Sequence, residues 1–260
     1  MALITGGSTG IGLALAYELA RMGYDLVLVS NDEAALQQAV EKINSSWPVQ
    51  VHTLCSELTA PDAPQHVFEE SQSHGWTIDI LINNAGMFFF GEVVETGYER
   101  NAQIMTLHTT VPVALCTLFG KQMKARRHGY ILNISSISAW MPYPGIALYA
   151  GTKQFIKHFS RSLRTEMLEY GVHVTCVCPG AVSTGLYQLD AEGHRKARRW
   201  RVMTTPEKLA PKIIRKMFQR KALYIPGFLN QITVALLSIV PHAVIVQIRR
   251  HSKFLPPDPH

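Results

Sequence analysis

Short, mostly apolar runs alternate with longer helical stretches along most of this chain. The runs are Ala2–Thr5, Asp25–Val29, Val49–Leu54, Asp79–Ile82, Tyr130–Ile134 and Val172–Val177, with a last candidate at Ala222–Ile225 before Pro226-Gly227. Helical apolar stripes fill Ile11–Met22, Glu33–Ile43, Pro64–His74, Thr96–Arg127 and Ala147–Glu169. A strand apolar at nearly every position must be covered on both faces, as in a parallel sheet packed between helix layers. The longest helical stretch is expected to bend where Thr109-Thr110-Val111 precede Pro112. There β-branched side chains crowd the turn and proline removes a backbone donor.

No linker, solenoid repeat or composition break interrupts the alternation between residue 2 and about residue 225. The expected architecture is α/β: a single doubly wound, Rossmann-type domain over residues 1–227, its parallel sheet covered by helices on both faces. A variable loop falls at about 185–205, and an apolar, basic extension fills 228–260. The 260 residues suit one such domain, and 47% apolar with 17% charged residues excludes an intrinsically disordered chain. A net charge of +6 permits an anionic partner without specifying one. Cys55, Cys116, Cys176 and Cys178 are too scattered for a disulfide framework, and Cys176-x-Cys178 in an apolar strand fits core thiols better than a metal site. Glycines cut short the apolar stretch after Met1-Ala2-Leu3-Ile4-Thr5 before it could act as a signal-peptide core. A cytoplasmic location is the expectation.

In doubly wound sheets ligands bind beyond the carboxyl ends of the strands. The first strand ends in Thr5-Gly6-Gly7-Ser8-Thr9-Gly10-Ile11-Gly12. Gly6 permits the sharp turn into the helix, Gly10 lets a pyrophosphate approach the backbone, and Gly12 allows close helix–sheet packing. Ser8 and Thr9 add hydroxyl donors. Asn83-Asn84-Ala85-Gly86 follows the strand Asp79–Ile82, where small and amide residues can bond neighbouring loops and leave room for a flat ring. Ser136 lies just past the strand Tyr130–Ile134 and could donate to a carbonyl; Tyr149 and Lys153, four residues apart on one helix face, are neighbours. An ammonium beside a phenol favours the phenolate and makes the tyrosine a usable general acid or base.

These motifs occur in the order and spacing of the short-chain dehydrogenases/reductases, which the chain resembles from residue 2 to about 185. A fourth motif, Pro179-Gly180-Ala181-Val182-Ser183-Thr184, completes the match. The resemblance implies an NAD(P)-dependent oxidoreductase that transfers hydride between nicotinamide and a carbonyl/alcohol pair. It casts Tyr149 as proton donor and acceptor at the substrate oxygen, Lys153 as binder of the nicotinamide ribose and depressor of the tyrosine pKa, and Ser136 as positioner of the carbonyl. Ser136 is preferred to Ser135 on its spacing to the tyrosine. Gly6, Ser8, Thr9, Gly10, Ile11 and Gly12 would hold the dinucleotide, with Asn84, Ala85 and Gly86 beside it. Pro179, Gly180, Val182 and Thr184 would border the nicotinamide. The resemblance also implies a homo-oligomer.

The chain departs from the family at three places. An asparagine that helps hold a relay water in the family is replaced by His108, read either as a member of that relay or as a helix histidine packed under the site. Glu57-Leu58 stands where an aspartate commonly lies beside the adenine. At the end of the second strand, Ser30 and Asn31 fill the usual acidic and basic positions. Asp32 could reach the ribose from the next turn, and the missing cation favours NAD over NADP, although hydroxyl and amide groups can also bind a phosphate.

On the substrate side, Phe88-Phe89-Phe90, Trp140, Met141, Tyr143 and Tyr187 follow strand ends and suit an apolar, lipid-like carbonyl compound. The basic run His194–Arg201 reads as a clamp for an anionic or acyl-carrier substrate or as a solvated helix face, and nucleic-acid binding is not expected. Phe228–Ile248, flanked by Arg249, Arg250 and Lys253, is broken by Pro241-His242 and too short in its parts to span a bilayer. It fits packing on the domain or a second subunit better than peripheral membrane contact. Two other functions stay open at this point: a non-catalytic NAD(P)-binding sensor or scaffold, and a membrane-surface lipid-binding protein.

Overall fold

The computed structural model describes residues 1–185, 203–238 and 240–251, with the backbone alone at residue 242 and at 248–251. Seven parallel strands form one sheet: β1 (Ala2–Thr5), β2 (Leu26–Ser30), β3 (Val51–Cys55), β4 (Ile80–Asn83), β5 (Gly129–Ile134), β6 (Val172–Val177) and β7 (Leu223–Tyr224). Their order, β3-β2-β1-β4-β5-β6-β7, is that of a doubly wound sheet. Ile4 of β1 lies between Leu28 and Ile82 in register. The chain runs outward through β2 and β3 and then crosses back to β4, so the order reverses at β1 and β4. A crevice opens there beyond Thr5 and Asn83.

Successive residues of β1 face opposite layers, as pleating requires. Ile4 joins a core cluster with Leu15 and Leu19 of α1 (Gly10–Arg21) and Ile213, Ile214 and Met217 of α8 (Pro206–Phe218). Leu3 joins the opposite cluster, with Val67 of α3 (Ala63–Ser73) and Leu115, Phe119 and Met123 of α6 (Val111–Arg126). The remaining helices are α2 (Glu33–Asn44), α4 (Val93–Thr96), α5 (Tyr98–Met105), α7 (Ala147–Leu168), α9 (Phe228–Leu237) and α10 (His242–His251).

Where a bend was expected, a π-helical segment, Thr106–Thr110, joins α5 to α6. Pro112 has no N–H for the carbonyl four residues earlier, that of His108, and its ring crowds that carbonyl. The whole stretch Tyr98–Arg126 is apolar and long enough to cross a membrane, yet Leu115, Phe119 and Met123 of α6 are buried in the core cluster shared with the sheet and α3. Helix α8 is absent from the sequence reading, although Thr205-Pro206 and the spacing of Leu209, Ile213 and Met217 signal it. Asp25, read as the start of a strand, precedes it and accepts from the Gln50 N–H at 2.8 Å. Cys176 and Cys178 are buried and free with sulfurs 3.9 Å apart, and no metal-ligating cluster occurs among the described residues.

In the extension, Val234 and Ile245 are buried while Phe228, Leu229 and Leu236 of α9 are 74%, 66% and 58% exposed. Tyr187, the basic run 194–201 and Lys253 lie outside the described residues.

Candidate active site

The glycine loop is shaped by backbone constraints. Gly6 and Gly10 have φ of +62° and +56°, values that disfavour side chains, and a Cβ on Gly12 would lie 1.9 Å from the Gly6 carbonyl oxygen. Thr9 caps α1 in an extended conformation without a side-chain bond to the helix, so the first-turn N–H groups of α1 face the crevice. Opposite them, a Cβ on Gly10 would press on Thr184 Cγ2 at 3.2 Å; the loop after β6 thus closes on the glycine turn.

Asn84 and Thr5 stitch the two strand ends at the switch point. The Asn84 side-chain amide donates to the carbonyls of Thr5 (3.0 Å) and Gly6 (3.1 Å). The Thr5 hydroxyl accepts from the N–H groups of Asn84 and Ala85, both at 3.0 Å. Asn84 therefore shapes the glycine turn through its amide as well as lining the crevice.

Beyond β5, Ser135 donates its hydroxyl to the Lys153 carbonyl at 2.7 Å, which removes it as a donor to a ligand. Ser136 lines the cavity, and its oxygen accepts from the Ser138 N–H at 3.1 Å, leaving the hydroxyl hydrogen to point elsewhere. The turn is pinned to β6 by Ser135 N–H to Val177 O and Ile137 N–H to Pro179 O. Helix α7 brings Tyr149 and Lys153 to the same cavity. The Lys153 ammonium donates to the Ile134 carbonyl at 3.1 Å and lies 5.6 Å from the Tyr149 ring centroid. Burial lowers the Lys153 pKa to about 8.

His108 is 2% exposed beneath the same site. Its Nε2 accepts the Met87 N–H at 3.0 Å, and its Nδ1 lies 2.9 Å from the Thr152 hydroxyl. Burial, with help from the Lys153 charge, holds its pKa well below the ordinary histidine value.

A cavity of about 300 Å³ gathers Gly6, Thr9, Gly10 and Ile11, then Asn84, Ala85 and Gly86, then His108, Ser136, Tyr149 and Lys153, and finally Pro179, Gly180, Val182 and Thr184. Of the residues singled out in the sequence, Ser8, Gly12, Ser30, Asn31, Glu57 and Leu58 do not line it. Gly12 packs behind the glycine turn. Ser8 donates to the Ser30 hydroxyl at 2.9 Å, and Asn31 donates to Glu57 at 2.8 Å, both near the far end of the crevice. Leu58 is 4% exposed and packs with Val29 and Val67, so its side chain belongs to the core. Asp32 caps α2, one oxygen of its carboxylate accepting from the Ala35 N–H at 2.9 Å. Burial raises the Glu57 pKa, but bonds from the Thr59 N–H and hydroxyl and from Asn31 outweigh it, and the carboxyl stays below its usual range.

Met87, Phe88, Phe89, Met141 and Tyr143 pack in one apolar cluster around Tyr149 and Ile146, with the Phe88 ring edge-on to Tyr149 at 4.9 Å; of this cluster Met87 and Tyr149 line the cavity. Trp140 instead carries the Lys157 ammonium on its face at 3.8 Å, and Phe90 is half exposed. Sequence reasoning missed Thr5, Met87, Ile134 and Thr152. Thr152 falls in the turn between Tyr149 and Lys153, a visible signal; Met87 and Ile134 act through the backbone, which no residue type announces. The tail contributes too, since Asn230 of α9 sits against Gly180.

A crevice at a sheet switch point, a glycine turn opening a helix, and serine, tyrosine and lysine at adjoining strand ends define a dinucleotide-binding fold of the dehydrogenase type. The residues present fit such a cofactor, because the positive-φ glycines leave backbone N–H groups unobstructed where a side chain would stand. A family model described as short chain dehydrogenase matches residues 1–194, and the chain belongs to the short-chain dehydrogenase/reductase family. It is 34% identical over 200 residues to a 17-beta-hydroxysteroid dehydrogenase type 3 of Danio rerio, covering 75% of this chain and 63% of that protein. It is 33% identical over 192 residues to a very-long-chain 3-oxoacyl-CoA reductase of Bos taurus, covering 72% and 61%. The chain thus spans a little over three fifths of these relatives' lengths. Among solved structures, a short-chain dehydrogenase from Sphingobium yanoikuyae in complex with NADPH superposes with a TM-score of 0.78 at 28% identity, covering 93% of this chain and 96% of that one.

Proposed function

We propose that the chain is an NAD(P)-dependent oxidoreductase that transfers hydride between nicotinamide and the carbonyl/alcohol pair of an apolar, lipid-like substrate. The observation that carries this reading is the convergence of Ser136, Tyr149 and Lys153 in one cavity with the glycine turn. Hydride chemistry is what a nicotinamide cofactor supplies when bound there. Ser136 and Tyr149 would hold the substrate oxygen, and Tyr149 would give it a proton in the reducing direction. Lys153 keeps two N–H groups beyond its bond to Ile134 for ribose hydroxyls, and its charge supports the phenolate. The apolar cluster of Met87, Phe88, Phe89, Met141 and Tyr143 beside Tyr149 supports an apolar substrate, consistent with relatives named for steroid and acyl-CoA compounds.

NAD is the proposed cofactor. The loop after β2 carries Asn31, Asp32 and Glu33 with no lysine or arginine, and the Glu57 carboxylate bonded to Asn31 would repel a 2′-phosphate. The NADPH complex of the Sphingobium protein is the observation on the other side. Free cysteines at Cys55, Cys116, Cys176 and Cys178 support a reducing, cytoplasmic setting, and exposed Val94, Tyr98 and Phe155 support a homo-oligomer.

The test is oxidation of NADH and NADPH with a panel of steroid ketones, long-chain 3-oxoacyl thioesters and short polar ketones. The expected result is turnover confined to the bulky apolar compounds, with kcat/KM at least about tenfold higher for NADH, the size of one charged contact. No turnover with any carbonyl compound, alongside intact dinucleotide binding, would favour the sensor reading.

A further inference from the structure

His108 sits where three elements meet: the π-helical segment, the loop after β4 and the second turn of α7. Its hydrogen bonds specify its protonation. The Thr152 hydroxyl donates its single hydrogen to the Tyr149 carbonyl at 2.9 Å, so toward His108 it can only accept. Nδ1, 2.9 Å away, therefore carries a proton and donates it to Thr152. Nε2 accepts the Met87 N–H and is therefore unprotonated. The imidazole is neutral, in one tautomer, with both nitrogens bonded to protein.

The surroundings hold it there. The ring stands edge-on to Tyr149 at 5.7 Å between centroids, and a Cβ on Gly86 would come 2.9 Å from Nε2. The charged and titratable groups facing it are the Lys153 ammonium and the Tyr149 phenol, both from α7. Burial and that ammonium oppose a second proton on the ring, in agreement with the geometry. A relay histidine needs a nitrogen facing a water or a titrating neighbour, and here each nitrogen already has a protein partner.

We propose that His108 is a positioning residue. It is a neutral strut that ties the 84–87 loop, at the nicotinamide side of the cleft, to the helix turn carrying Tyr149, and it moves no proton in catalysis. The strut is a property of the chain's own contacts; its effect on turnover rests on the oxidoreductase reading above. One consequence is directional: the Met87 N–H needs an acceptor at the Nε2 position, and an amide oxygen on a glutamine side chain can reach that position where a shorter or apolar side chain cannot.

The test combines nitrogen NMR of histidine-labelled full-length protein with two variants, His108→Gln and His108→Ala. The His108 signals are expected to report an Nδ1–H tautomer that stays neutral from about pH 5 to about pH 8, unlike an exposed histidine. His108→Ala is expected to weaken NADH affinity and turnover by about tenfold or more, with the shape of the pH–rate profile unchanged. His108→Gln should recover most of that loss. A His108 ring that titrates in that range, an Nε2–H tautomer, or a glutamine variant no better than alanine with one ionisation missing from its profile would overturn the proposal. If His108→Ala does not fold, the glutamine variant and the NMR tautomer still decide. If the wild-type protein turns over no carbonyl compound, the oxidoreductase reading fails while tautomer and dinucleotide affinity continue to judge the strut.

Discussion

The two ends of the cleft are built in opposite ways. At the catalytic end, Thr5, His108, Ser135 and Lys153 are buried, and their bonds join β1, β4, β5 and α7. At the adenosine end, the Asn31–Glu57 bond joins two neighbouring loops and the Glu57–Thr59 bond stays within one, and both are exposed. A buried donor or acceptor that loses its partner costs roughly 1–3 kcal/mol, because water cannot replace it. An exposed one loses little, because water can. The chemistry is thus locked by desolvation, while nucleotide choice rests on side chains that can be exchanged without disturbing the fold.

Several substitutions test that contrast, beginning with the largest effect. Tyr149→Phe should reduce turnover on the order of 10²–10⁴-fold, the usual value of a general acid, and leave NADH affinity within about threefold. Steady-state kinetics with fluorescence titration would check it, and retained turnover would remove Tyr149 from the mechanism. Next comes Lys153, whose pKa in the free protein is about 8 against 10.5 for an unburied lysine. Its ammonium is lost as pH rises through about 8, so dinucleotide affinity should fall above that value, and Lys153→Met should abolish this dependence. Between about pH 8 and 10.5 the unfolded chain still binds the proton that the folded chain has released. Folding stability should therefore rise with pH in that window relative to Lys153→Met, as read from denaturant midpoints.

At the adenosine end the expected changes are smaller. Asn31→Arg supplies the missing cation and removes the amide donor to Glu57; the NADPH/NADH ratio of kcat/KM should rise about tenfold, with stability nearly unchanged. A ratio that does not move would place the 2′ position elsewhere. Asp32→Ala should cost about 1 kcal/mol of stability through the lost helix cap. It should leave the cofactor ratio alone; a change in that ratio would restore Asp32 to the ribose.

Most of the sheet was legible because its strands are apolar at consecutive positions, and the helices because their stripes repeat at helical spacing. The departure from regular α-helix before Pro112 was legible for the same local reason, since a missing N–H is written in the residue type. Helix α8 went unread beside a loop that had been expected to vary. The site residues that line the cavity were legible where chemistry resides in side chains at fixed spacing, as at Tyr149 and Lys153. Leu58 and Asp32 were not, because leucine reads alike in a core and beside an adenine, and aspartate alike as a cap and as a ribose acceptor. Their roles depend on which way a turn rotates.

By itself the sequence determined the layered α/β architecture, the glycine turn, and the set of groups available for acid–base chemistry. Each follows from local rules of periodicity, φ preference and functional-group identity. Only the tertiary structure decided that the Ser135 hydroxyl is spent on the Lys153 carbonyl, that Asn84 braces Thr5 and Gly6, and that His108 is neutral. Those outcomes hang on hydrogen bonds between residues far apart in the chain. Burial gives such bonds their force, and burial exists only once the sheet has brought the strand ends together.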